Sequence, residues 1–166
     1  MAQLTAQELG RWFDAAAPAL VLYARQWVRA AVAEDLVQEV FVRLAQQRER
    51  PANVRAWLLV CVRHAALDAV KRERRRAARD HAAGEERATA LAAPADVTGL
   101  DSTEVQAALE ALPTEMREII TLKIWAGATF EEIAGVMGMP LATVYQRYRS
   151  GLESLRSRWE LPCRKR

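Results

Sequence analysis

Glycine and proline are scarce in this chain, seven and six among 166 residues, and cysteine is scarcer still at two. So few breakers exclude a collagen-like or low-complexity chain. Cys61 and Cys163 have no CxxC spacing and no histidine at ligand spacing, which argues against a disulfide framework and against a zinc site. Long apolar runs are missing as well, which excludes a transmembrane helix. The opening MAQLTAQELGRWF lacks the basic patch and apolar stretch of a signal peptide, so the expected location is cytoplasmic. No catalytic dyad, phosphate loop or metal constellation stands out. The chain is therefore expected to be no enzyme by itself, with no catalytic residues, no metal and no cofactor.

What is present is a helix-forming composition. The chain is 51% hydrophobic, enough for a core, and Ala, Leu, Arg, Glu and Gln dominate. No segment shows sustained two-residue alternation, so the fold class is all-α. The net charge of +3 is unevenly spread: +1 over residues 1–60, +5 over 61–79, −7 over 80–118 and +4 over 119–166. Two basic blocks around an acidic one suggest two polyanion-binding surfaces. Arginines outnumber lysines 21 to three, which suits forked contacts to phosphate and guanine, although a GC-rich genome gives the same bias.

Thr5 with Glu8 forms a capping box opening a helix through about Ala16, and Pro18 is placed to start a second running to about Ala31. Leu36, Val37, Val40, Phe41 and Leu44 repeat at three and four, predicting a third helix over about 34–47. Pro51 breaks the pattern and Asn53 is a plausible N-cap for a long helix with Val54, Trp57, Leu58, Cys61, Val62, Ala65, Leu67 and Val70 on its apolar face. That helix turns polar at Lys71, so its last turns should project into solvent. Residues 79–101 lose large apolar side chains and read as a linker. Val105, Leu109 and Leu112 then mark a helix, and Pro113 begins another through about Ala126, with Met116, Ile119, Ile120, Leu122, Ile124 and Trp125 inside and Gly127 as C-cap.

The segment TFEEIAGVMGMPLATV (129–144) reads as helix-turn-helix. Thr129 and Glu132 form a capping box, Ile133, Ala134 and Val136 face inward, Gly138 supplies the turn and Pro140 starts the next helix. Leu141, Val144, Tyr148, Leu152, Leu155 and Trp159 form one stripe expected to be buried. The remaining face carries Ala142, Thr143, Tyr145, Gln146, Arg147, Arg149 and Ser150, short, amide or guanidinium side chains of the kind that meet base edges and phosphates. An amphipathic helix pair with a solvated outer face would show the same geometry without the arginine-rich surface.

In order along the chain, AEDLVQEVFVRL (33–44), NVRAWLLVCVRHAALDAVKRERRR (53–76) and ALPTEMREIITLKIWAGATFEEIAGVMGMPLATVYQRYRSGLESLR (111–156) resemble a bacterial RNA polymerase sigma factor of the extracytoplasmic-function (ECF) subfamily of the sigma-70 family. The resemblance implies two small helical domains: a sigma region 2 bundle over 1–78 and a sigma region 4 helix-turn-helix over 102–160. A flexible acidic linker over 79–101 joins them, and 161–166 form a tail. It implies promoter specificity for core RNA polymerase, with the minus-35 duplex and the melted minus-ten strand as DNA targets. Partners implied are core RNA polymerase (β′ clamp helices and β flap), promoter DNA and an anti-sigma factor, with no membrane insertion.

Residue by residue, the resemblance implies polymerase contact by Asp35, Gln38 and Glu39, although acids near a helix N-terminus also favour its dipole. It implies minus-ten contact by Asn53, Arg55, Arg63, His64, Lys71, Arg72 and Arg75. Minus-35 contact falls to Thr143, Tyr145, Gln146, Arg147 and Arg149. Many family members have Lys-Ser-Arg where this chain has Tyr145-Gln146-Arg147, which leaves the binding mode but alters the promoter sequence. Trp57 lies on the apolar stripe and reads as core before base stacking, as do Trp125 and Trp159. The linker, 23 residues long, extends at most about 75–80 Å and so spans two promoter elements roughly 70 Å apart. Its acidity suits either RNA mimicry inside the polymerase or ordinary solvation. A stand-alone helix-turn-helix regulator and an adaptor that has lost promoter activity are the competing readings.

Overall fold

In the computed structural model, which describes residues 4–81 and 102–160, Thr5 opens helix α1 (Ala6–Ala24). The Glu8 backbone N–H donates to Thr5 Oγ1 at 3.2 Å, and the Thr5 N–H donates to Glu8 Oε2 at 3.0 Å. That backbone hydrogen bond first, then the Thr5 hydroxyl, holds the Glu8 carboxyl below its ordinary pKa. The capping contribution is therefore present at neutral pH and lost as acidification passes through that lowered value. Pro18 does not start a second helix, as its spacing suggested; it sits inside α1. Asp14 and Pro18 are both on the exposed side, where the carbonyl that loses its N–H partner is open to water, and the turns beyond Pro18 bury Leu20, Tyr23 and Ala24. Burial of large side chains such as Leu20 and Tyr23, about 1.5–3 kcal/mol each, offsets a proline cost of about 3 kcal/mol.

Helix α2 (Ala30–Ala45) therefore begins four residues earlier than expected, after a turn over 25–29. Its stripe is as predicted: Leu36, Val37, Val40, Phe41 and Leu44 are buried, together with Ala33. Helix α3 (Val54–His81) is capped by Asn53, whose Oδ1 accepts the Ala56 N–H at 2.9 Å. Its buried row is Val54, Leu58, Leu59, Val62 and Ala66. Trp57, Cys61, Ala65, Leu67 and Val70, expected on that face, are only half-buried. The contact runs along the i, i+4 row, which drifts around the helix as it packs on α1 and α2, so the buried face is rotated from the periodic one. Residues 71–79 are all exposed, as expected. The helix continues through His81, past the expected start of the linker, and 82–101 lie outside the described residues, as do 161–166.

The chain divides into two compact units, the first holding α1 to α3 and the second holding α4 (Ser102–Glu110), α5 (Thr114–Ile124), α6 (Phe130–Met137) and α7 (Leu141–Glu160). In the second unit Arg117 Nη2 donates to the Glu110 and Leu112 carbonyls, each at 3.4 Å, closing the turn between α4 and α5. Ile119, Ile120 and Leu122 are fully buried, but Ile124, expected inside, is 51% exposed. The turn after α5 places Gly127 at φ +59°. Thr129 and Glu132 form the predicted capping box of α6, and Gly138 ends it at φ +64°. The stripe of α7 is corrected at two positions: Leu141 and Leu152 are exposed, whereas Val144, Gly151 and Leu155 are buried. A Cβ at Gly151 would lie 2.7 Å from Ile120 Cδ1 and 3.4 Å from Met116 Cβ. The Trp159 side chain lies outside the described set. Trp125 is half-buried against the core of Ala108, Leu112, Ile120 and Leu155.

The two glycines should respond differently to substitution. Gly138→Ala has free space but the wrong backbone, and should cost about 1 kcal/mol, with Gly138→Asn costing less. Gly151→Leu forces α7 away from α5 and should cost about 2 kcal/mol or more. Chemical denaturation of the full chain, following the second unit's aromatic signal, measures both.

Candidate nucleic-acid and polymerase interfaces

On α2, burial of the apolar stripe leaves Asp35, Gln38 and Glu39 exposed along the opposite side. Val42, 55% exposed, extends that surface, and Arg43 pairs with Glu39 one turn away. Exposed pairs of this kind contribute little to stability, so the side chains are available to a partner. The sequence signal that Val42 belongs to this surface is its spacing, four and three residues after Gln38 and Glu39 and off the Leu36–Leu44 stripe.

The loop between α2 and α3 is tied down at two points. Arg50 Nη1 reaches Glu8 Oε1 at 3.2 Å, joining the loop to the start of α1, and Asn53 caps α3. Along α3, at 100° per residue, Trp57, Cys61, His64, Lys71 and Arg75 share one stripe. His64, Lys71 and Arg75 are exposed, and Lys71 Nζ lies 3.4 Å from Asp68 Oδ1. Arg72 is also exposed and its Nε donates to the Asp68 carbonyl at 3.3 Å. Arg55 and the half-buried Arg63 fall on other sides of the helix, so the candidates of this unit do not form one patch. Burial raises the Cys61 thiol pKa, opposed by the nearby Arg43 charge, and keeps it a neutral thiol at this edge. An open groove is lined by Asp35 and Glu39 of α2 and by Arg72, Arg75, Arg76 and Arg79 of α3, together with Trp27, Val32, Leu36 and Val70.

In the second unit, the outward face of α7 centres on Ala142, Gln146 and Arg149, all exposed. Tyr145, 50% exposed, forms one flank. Its ring meets Phe130 edge-on at 5.4 Å; Phe130 also meets Tyr148 at 5.2 Å, and Lys123 Nζ sits 4.5 Å above the Phe130 ring. Lys123 also donates to the Ala128 carbonyl at 3.1 Å. This aromatic support fixes a side chain that would otherwise be a mobile flank. Thr143, half-buried, and Arg147 form the other flank. Arg147 Nη1 pairs with Glu115 Oε2 and donates to Met139 Sδ at 3.1 Å, leaving the side chain 34% exposed. Glu115, Phe130 and Lys123 had no local signal in the sequence, because each acts on α7 from another helix.

Residues 12–76 match the family described as Sigma-70 region 2, and residues 102–155 match Sigma-70, region 4. The sigma factor CarQ of Myxococcus xanthus is 33% identical over 137 residues, covering 80% of this chain and 78% of that protein. The chain belongs to the sigma-70 family of RNA polymerase sigma factors, in the ECF group. Another relative, the ECF sigma factor SigE of Mycolicibacterium smegmatis, is 33% identical over 75% of this sigma factor, which spans half the relative's length. Among solved structures, the sigma factor RpoE of Bartonella quintana, in complex with the anti-sigma factor NepR, aligns at TM-score 0.71 with 25% identity, covering 97% of this chain and 100% of that one. CnrH, solved with the cytosolic domain of CnrY, aligns at TM-score 0.64 with 23% identity, a likeness of fold. Sigma factors are not enzymes in themselves. Among the described residues no group of three or more His, Cys, Asp or Glu could hold a metal ion, and no helix is long and apolar enough to cross a membrane.

Asn53 is committed through its Oδ1 to helix capping. Asn53→Ala should therefore lower stability by about 1 kcal/mol, while Asn53→Asp, which keeps the accepting oxygen, should not. Thermal melting of the two variants measures the difference.

Proposed function

We propose that this sigma factor is a dissociable specificity subunit that aims core RNA polymerase at promoters in the cytoplasm. The observation that carries this is the presence, on one chain, of an acidic helix face, a basic single-helix track and a helix-turn-helix, in two units matching regions 2 and 4. Asp35, Gln38 and Glu39 contact the β′ clamp helices, and the β flap receives the second unit. Asn53, which ends the loop before α3, and Arg55, Arg63 and His64, on different sides of α3, engage the melted minus-ten strand, which needs charge along its backbone and a surface for a displaced base. Lys71, Arg72 and Arg75 hold phosphates, where seven basic groups over 61–79 exceed what a helix C-terminus needs. Thr143, Tyr145, Gln146, Arg147 and Arg149 meet the minus-35 duplex, with Gln146 and Arg149 supported by their place at the centre of the exposed face.

The working domains under this proposal are 1–78 and 102–160, with 79–101 as the connection and 161–166 as a tail. Like the sigma factor RpoE of Bartonella quintana, solved with the anti-sigma factor NepR, this chain takes an anti-sigma partner. Nucleotide polymerisation belongs to the polymerase.

Transcription in vitro from a randomised promoter library, with core polymerase plus this chain, tests the function and returns the recognised sequence. Transcripts from a selected sequence class are expected; output no higher than that of core enzyme alone would refute it. Charge reversal at Asp35 and Glu39 should weaken core binding at least about tenfold. Replacing Lys71, Arg72 or Arg75 by Ala should lower the salt slope of promoter binding by about one each, and Arg149→Ala should cost about 1–3 kcal/mol of specific binding. Filter-binding titrations over a salt series distinguish the phosphate contacts from the base contact.

A further inference from the structure

Arg147 stands apart from the other side chains assigned to duplex DNA because its guanidinium is already held inside the second unit. Glu115, in the first turn of α5, pairs with Nη1, and Met139, in the turn before α7, accepts from the same nitrogen at 3.1 Å. Gly151 lets the middle of α7 lie close against Met116 and Ile120, which brings the neighbouring Glu115 alongside Arg147. We propose that Glu115 is a positioning residue for sequence readout. It fixes Arg147 through Nη1 so that the remaining edge of the guanidinium, Nε and Nη2, meets one guanine in the major groove. This rests on α7 being the recognition helix.

The physical case is one of preorganisation. A forked contact to guanine O6 and N7 needs the plane of the guanidinium set correctly, and a free arginine loses much rotamer freedom when it docks. Holding one nitrogen beforehand removes part of that loss and restricts the plane available to the other two. As a support for folding the pair has little to offer, since Glu115 is 51% exposed and exposed pairs contribute almost nothing to stability. As a contributor to general DNA affinity it is unfavourable, because a carboxylate beside the DNA-facing surface repels phosphates. A negative charge that weakens binding to all sequences while ordering the readout of one base pair favours discrimination over affinity.

Core RNA polymerase reconstituted with the full chain, wild type or variant, is tested for binding to duplex elements varied one base pair at a time. In Glu115→Gln, preference at one G·C pair should fall about tenfold, with the other positions and the melting temperature of the chain unchanged and binding to random DNA strengthened. Arg147→Ala should lose the same preference, the double variant should lose no more than Arg147→Ala alone, and Glu115→Asp should retain it. A base-preference profile unaltered by Glu115→Gln overturns the proposal. So does a profile weakened at every position together with a lower melting temperature, which marks a purely structural tie. A wild-type holoenzyme with no sequence preference at all would overturn the assignment of α7 as recognition helix, and this proposal with it.

Discussion

The close approach of α7 to α5 at Gly151 governs the second unit. A Cβ there would come within 2.7 Å of Ile120 Cδ1, so the end of that buried side chain would have to move, and the glycine lets the two helices meet closely without it. That contact sets the rotation of α7 about its axis. Once Val144, Gly151 and Leu155 face inward, Gln146 and Arg149 must face outward, because successive residues are turned by about 100°. The same rotation places Tyr145 against Phe130 and Arg147 beside Glu115. Presentation of the surface proposed to meet DNA thus follows from packing on the opposite side of the helix.

The first unit obeys the same constraint with a different outcome. Burial of Leu36, Val37, Val40, Phe41 and Leu44 commits one side of α2 and frees Asp35, Gln38 and Glu39 on the other. In α3 only the first half is committed in this way. Beyond Val70 no large apolar side chain follows before Arg79, and the helix runs on as an exposed cationic rod. One continuous helix therefore joins a packed scaffold to a polyelectrolyte surface, which suits the phosphate contacts proposed for it.

Much of this was legible beforehand. The capping boxes at Thr5 and Thr129, the cap at Asn53 and the turn at Gly138 are local chemistry, decided within four residues of chain, and each stands where the sequence indicated. The α2 stripe was legible because five apolar residues recurring at spacings of three and four agree on one face. Pro18 misled because a local cost was weighed without the burial of Leu20 and Tyr23 that offsets it. Leu141 and Leu152 misled because periodicity counts apolar residues but cannot see that a glycine offers the closer approach.

The amino-acid order alone determined that the chain is helical, the caps at Thr5, Asn53, Thr129 and Gly138, and which charges each helix carries, since these depend on neighbours along one turn or two, whereas the run of α1 through Pro18 and the start of α2 at Ala30 were decided by packing. Tertiary structure decided how far each helix is rotated and which side chains are braced. The i, i+4 drift of the α3 contact, the support of Tyr145 by Phe130 and Lys123, and the tie between Arg147 and Glu115 all join groups on different helices. Helical periodicity repeats within an element and contains no term for its neighbour, so such pairings arise only when whole faces are packed together.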